Sequence, residues 1–95
     1  ISNLNAQTVI IRAIEFPMIS QSIMFVTGPE GETQSIELEN LRKSMDKAIA
    51  NNNVIIQTQI NSWKNKGYIV DGISNYAMGD GMVTMIIMST KEYEK

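Results

Sequence analysis

The chain of 95 residues contains no cysteine and no histidine, and it has only two prolines. These absences exclude a histidine general base, a cysteine nucleophile, a thiolate zinc site and a haem held by histidine. No run of about 18 apolar residues is present, so no transmembrane segment is predicted. The composition therefore predicts a chain that is not an enzyme and that binds no metal and no cofactor.

The charge is nearly balanced, with eight basic and ten acidic residues and a formal net charge of −2. Nucleic-acid binders usually carry a clustered positive field, so this balance argues against such a partner. An apolar content of 43% is typical of a globular protein. The length leaves room for one hydrophobic core, which predicts a single domain over residues 8–90.

The two ends of the chain differ from this domain. Leu4, Asn5 and Ala6 fit the end of a secretory signal that is cleaved before Gln7. The alternative for residues 1–7 is a disordered tail. The sequence at this junction resembles exported proteins of the Bacteroidetes type, which implies a periplasmic or extracellular location, with the cytoplasm left open. Residues 91–95 read as a charged C-terminal tail.

Five segments have the composition of strands. The first and the last are apolar at nearly every position, which is typical of strands buried on both faces. Glycine-containing turns at residues 28–31 and 78–81 join neighbouring strands. The predicted strands are Thr8–Phe16, Ser22–Thr27, Glu32–Leu38, Tyr68–Ala77 and Met82–Thr90.

A helical pattern fills the space between the third and fourth strands. The spacing of its apolar residues predicts a helix that ends at Gly67, a residue that readily adopts the left-handed conformation. Asn51–Asn53 interrupts the pattern and leaves two interpretations: two short helices with Asn53 capping the second, or one helix through the asparagines. The apolar stripe consists of Leu41, Met45, Ala48, Ile49, Ile56, Ile60 and Trp63.

These elements predict an α+β fold in the order β-β-β-α(α)-β-β. Short connections favour antiparallel neighbours, so we expect one mainly antiparallel sheet of four or five strands. One or two helices would cover one face of this sheet. The two strands that are apolar on both faces should lie side by side in the middle.

The segments 60–70 and 83–88 form a helix, a glycine, an aromatic residue and two hydrophobic strands around a turn. This pattern resembles small exported Bacteroidetes-type domains of unknown function. The resemblance implies no activity and transfers no functional residue.

Two polar motifs contain residue types that could carry chemistry. Gly79-Asp80-Gly81 precedes a strand, whereas a phosphate-binding loop opens a helix, so it is interpreted as a hairpin turn. Asp71 and Asp80 would need to lie close together in a cleft to act as a carboxylate pair, and nothing in the sequence places them so. Alternation along the fourth strand puts Tyr68, Val70 and Tyr76 on one face.

The seven methionines are the most unusual feature, and four of them surround the last hairpin. A sheet with helices on one face exposes either the set Met82, Ile86 and Met88 or the set Met85 and Ile87. We therefore expect a non-catalytic protein-interaction module that binds a protein partner or a second copy through a sheet face or edge. The alternative is a small-molecule-binding or enzymatic domain of the dimeric α/β-barrel type, with Asp71, Tyr68 and Tyr76 as its polar groups. The candidate surface comprises Met82, Met85, Ile86, Ile87, Met88, Tyr68 and Tyr76.

Overall fold

The computed structural model describes residues 7–17, 21–42 and 44–90. The predicted leader remnant over residues 1–6 and the predicted tail over residues 91–95 lie outside these ranges. The elements, in chain order, are β1 (Thr8–Glu15), β2 (Ile23–Thr27), β3 (Thr33–Glu37), α1 (Met45–Lys64), β4 (Ile69–Met78) and β5 (Gly81–Ser89).

The five strands form one sheet in the order β3-β2-β1-β5-β4. All neighbouring strands are antiparallel. The predicted α+β class and element order are confirmed. The two strands that are apolar on both faces, β1 and β5, lie side by side with further strands on each side, because a strand with two apolar faces is most stable away from the sheet edges.

One helix runs through the asparagine segment, so the interpretation with two short helices is wrong. The helix begins at Met45 rather than near Leu41, whose backbone N–H donates to the Phe16 carbonyl over 3.0 Å. It ends as predicted: Gly67 has a φ of 96°, and the Tyr68 N–H reaches back to the Trp63 carbonyl over 3.1 Å. This is a Schellman ending.

The helix packs on one face of the sheet and encloses the hydrophobic core. Ile55, Ile56, Ile60 and Trp63 are the helix residues that pack against it. Met24 and Met88 are fully buried there, whereas Met45, Met78 and Met82 are 42–50% exposed. The buried core residues of the sheet and its connections are Val9, Ile11, Ala13, Met24, Val26, Leu38, Tyr68, Ile86 and Met88.

The first half of the helix differs in part from the predicted apolar stripe. Ala48 is buried as predicted, whereas Met45 and Ile49 are exposed and Asn52, which was not predicted, is buried. Asn52 lies four residues after Ala48 and four before Ile56, so it occupies a core position of the helical stripe. The asparagine segment is therefore not an interruption of the helix but part of its packing.

The buried amide of Asn52 connects three parts of the chain. Its Oδ1 accepts the Glu39 N–H over 2.7 Å, and its Nδ2 donates to the Glu39 carbonyl and to Glu15 Oε2, each over 2.9 Å. Both amide hydrogens and the carbonyl oxygen thus have partners, as burial of a polar side chain requires. The bonds fix α1 to the end of β1 and to the segment that follows β3.

A bulge in β4 changes the predicted faces of that strand. Val70 pairs with Met88 and Gly72 with Ile87, which leaves Asp71 as an extra residue. Val70 therefore lies on the helix side, whereas Tyr76, opposite Val83, lies on the other side. The prediction that Val70 and Tyr76 share a face is wrong because simple alternation does not anticipate the extra residue.

We expect Asn52→Ala to lower the free energy of unfolding by about 2–4 kcal/mol, because it leaves the Glu39 backbone groups unpaired and opens a cavity. Asn53→Ala is the matched control. Asn53 is exposed, and alanine there should raise stability by about 0.5 kcal/mol through helix propensity. Urea denaturation followed by circular dichroism measures both. Equal effects of the two substitutions would contradict the role of Asn52.

The methionines should differ in their rate of oxidation. Met45, Met78 and Met82 should form sulfoxides in dilute hydrogen peroxide well before Met24 and Met88, because the last two are fully buried. Peptide mass spectrometry of a time course measures each site, and the same experiment in urea is the control. Similar rates at all five sites in the folded protein would show that the burial pattern is incorrect.

Candidate interaction surface

The sheet face opposite the helix has no helix or strand packed on it among the described residues. We call this surface the open face. Cross-strand pairs define it because antiparallel partners point to the same side. On the three central strands its residues are Ile10, Arg12, Ile14, Ile23, Phe25, Thr27, Val83, Met85 and Ile87, of which Val83 is fully buried. On the edge strands β3 and β4 it carries mainly small or polar residues: Thr33, Ser35, Glu37, Gly72, Ser74 and Tyr76.

The open face is mainly apolar because β1 and β5 carry apolar side chains on both sides. Ile10 lies beside Ile87, and Ile14 lies beside Val83. Phe25 is 37% exposed and Tyr76 is 43% exposed. A contiguous apolar surface of this kind is characteristic of a site that another protein covers.

One cation lies in the middle of this apolar surface. Arg12 is exposed between Phe25 on one side and Met85 on the other. Its Nη2 donates to the Met85 sulfur over 3.2 Å, and no carboxylate of the described ranges lies within ion-pair distance of it. A shallow depression of about 360 Å³ lies beside it, lined by Ile10, Arg12, Phe25, Thr27 and Thr33.

The structure separates the residues that the sequence predicted for the surface. Met85, Ile87 and Tyr76 lie on the open face. Met82 lies on the helix side and is half exposed. The remaining three are buried in the core and cannot line a surface: Tyr68, Ile86 and Met88.

Tyr68 belongs to an aromatic pair at the end of the helix. Its ring meets that of Trp63 edge to face, with centroids 5.2 Å apart. Its hydroxyl donates to Gln7 Oε1 over 3.0 Å. The Lys66 ammonium lies 4.4 Å from the centre of the Trp63 ring. This pair closes one end of the core and does not form a platform with Tyr76.

The polar groups predicted for small-molecule binding do not converge. Asp71 lies at the β4 bulge, where its Oδ2 accepts a hydrogen bond of 2.7 Å from the Ser89 hydroxyl. Tyr68 is in the core and Tyr76 is on the open face. Within residues 7–17, 21–42 and 44–90, no three His, Cys, Asp or Glu side chains are grouped to hold a metal ion.

A cleft of about 790 Å³ lies between the start of the helix and the segment after β3. It contains none of the predicted site residues. Two of its polar side chains are held by neighbours, since Asn51 donates to Glu39 over 2.9 Å and Gln21 donates to Glu37 over 3.0 Å. The cleft is lined by Gln21, Glu37, Leu38, Glu39, Asn40, Arg42, Ser44, Lys47, Ala48, Asn51 and Ile55.

The edge strand β4 is the second exposed apolar feature. Its ten residues carry apolar side chains on both sides, and on the helix side Val70 and Ile73 are 40% and 64% exposed. Exposed edge strands are normally kept from pairing by charges, prolines or bulges. In β4 the bulge at Asp71 is such a feature, while the segment from Gly72 to Met78 has no charged residue.

Sequence reasoning missed Arg12, Phe25 and Glu37 as residues of the open face. The available signal was their position in alternation with buried neighbours on β1, β2 and β3.

The helix of the described ranges is too polar to be a candidate for crossing a membrane. Comparison with protein-family models, curated proteins and solved structures found no match to this chain.

Proposed function

We propose that this chain is a non-catalytic protein-interaction module that associates with itself through the open face. The observation that carries the proposal is a five-stranded sheet with apolar side chains on both faces and a helix on only one of them. Covering the open face would remove Phe25, Met85 and Ile87 from water, and burial of apolar surface is the main driving force of association.

The size of the open face fits a reversible dimer. Five strands spaced about 4.8 Å apart give a width of roughly 24 Å, and the five-residue strands give a length of roughly 17 Å. Each copy would thus contribute on the order of 400 Å² of projected area, with a larger accessible area. The projected total for two copies is about 800 Å², below the roughly 1,200–2,000 Å² that standard specific interfaces bury, as in weak and transient complexes. We therefore expect a dimer that dissociates on dilution.

The absence of catalysis is part of the proposal. It is supported by the lack of histidine and cysteine in the sequence and by the separation of Asp71, Tyr68 and Tyr76. A small-molecule site made of those three side chains would require them to face one cavity.

The proposal predicts that Met85→Lys abolishes self-association and that Met82→Lys does not. Both substitutions add one positive charge to β5, but Met85 lies on the open face and Met82 on the helix side. A lysine at this position lies next to Arg12 on the surface to be covered, and burial of the added charge should weaken the dimer at least tenfold. Sedimentation equilibrium from about 5 to 500 µM measures both variants and the unmodified chain.

A chain that stays monomeric at 500 µM would contradict the proposal. A dimer that survives Met85→Lys would place the interface elsewhere, with the β4 edge as the first candidate. Circular dichroism and thermal unfolding verify that both variants are folded.

We also propose that the protein is exported, with cleavage before Gln7. The support is the segment Leu4-Asn5-Ala6 and the absence of cysteine. Gln7 is already part of the fold, since its carbonyl accepts the Thr90 N–H over 3.0 Å. Mass spectrometry of the protein isolated from its native host should give a mature chain that starts at Gln7. A native chain that retains residues 1–6 would refute cleavage at this site.

A further inference from the structure

Covering the open face has a consequence for Arg12. The guanidinium is exposed in the middle of the surface, and its hydrogen bond goes to a thioether, which is a weak acceptor. A partner that covers it with apolar atoms would remove its hydration without replacing it. An unpaired buried charge is strongly unfavourable, so a stable complex must bring an acidic group to Arg12.

An acidic residue, Glu37, lies on the edge strand β3 at the margin of the open face, where it also borders the cleft beside the start of the helix. Glu37 on β3 pairs with Ile23 of β2, which in turn pairs with Ile14 of β1. Arg12 is two residues from Ile14 along β1, and β3 is two strands from β1. The two Cα atoms are therefore separated by roughly 12 Å within one sheet, given rises of about 3.4 Å per residue and strand spacings of about 4.8 Å.

We infer that two copies pack open face to open face with Arg12 of each opposite Glu37 of the other. The inference rests on the proposed self-association and specifies its register. In a dimer with twofold symmetry, any contact between residue 12 of one copy and residue 37 of the other occurs twice. Each of the two Arg12 guanidinium groups is therefore paired with a Glu37 carboxylate. Packed sheets lie about 10 Å apart, a gap that an arginine and a glutamate side chain together can span.

Charge complementarity favours a second copy over an arbitrary apolar surface. Within one copy Glu37 Oε2 accepts a hydrogen bond of 3.0 Å from Gln21 Nε2, and a carboxylate has further lone pairs to accept from an arginine. A partner without an acid in this register would leave Arg12 unpaired. The pair would thus determine which surface binds, while the apolar residues supply most of the affinity.

The test is a charge exchange between positions 12 and 37. Arg12→Glu alone and Glu37→Arg alone each place two like-charged pairs in a homodimer, and each should weaken it at least 30-fold. An equimolar mixture of the two variants restores opposite charges at both contacts. We expect a heterodimer with an affinity within about threefold of the unmodified dimer, measured by energy transfer between donor- and acceptor-labelled variants.

Lys64→Glu and Glu30→Arg are the matched controls, because they make the same charge changes at exposed positions outside the open face. Neither should alter the unmodified dimer by more than about twofold. If a charge reversal unfolds the chain, the double variant Arg12→Met/Glu37→Met provides a second test. Arg12→Met alone should lose association, and the double variant should restore it.

The outcomes separate the two levels of the proposal. A monomeric unmodified chain contradicts self-association itself. A dimer that is lost in Met85→Lys, but whose two charge variants fail to recombine, contradicts only the pairing of Arg12 with Glu37. Full association of Arg12→Glu by itself would also overturn that pairing.

Discussion

One helix of twenty residues cannot cover both faces of a five-stranded sheet. A helix of this length is roughly 30 Å long and about 10 Å across, whereas five strands span roughly 24 Å. The helix therefore covers about half of one face. The strands present more apolar area than the helix can cover. Both the open face and the exposed helix side of β4 are consequences of this difference.

The hydrogen bonds of Asn52 determine which half of the face is covered. They hold the middle of α1 against the end of β1 and the segment after β3. The Trp63 and Tyr68 pair holds the other end of the helix near Gln7. Between these two points the helix packs against core residues of β1, β2 and β5, whereas Ile73 on β4 is 64% exposed. A buried polar network of this kind adds positional specificity that apolar packing alone supplies less well.

The sequence was sufficient to predict the sheet but not the details that position the surface. The position of β1 and β5 in the middle of the sheet was predictable because both strands carry apolar residues on both faces. Such strands are favoured where both faces are buried. The turn at Gly28–Gly31 and the helix end at Gly67 were predictable because they depend on local backbone conformation. The bulge at Asp71 and the burial of Asn52 were not, since both depend on partners distant in the chain. The side of β1 on which Arg12 lies was predictable from alternation with the buried Ile11 and Ala13, whereas its neighbours Phe25 and Met85 come from distant parts of the chain.

An apolar face without any charge would associate with many surfaces and would be a risk for aggregation. A single cation in its centre changes that balance. While the face is exposed, water solvates Arg12 at little cost; when the face is covered, the guanidinium must find a carboxylate or the complex is penalised. The same residue can therefore discourage unspecific association and select a partner that carries an acid in the right place. In the proposed dimer, Glu37 of each copy would supply that acid to Arg12 of the other.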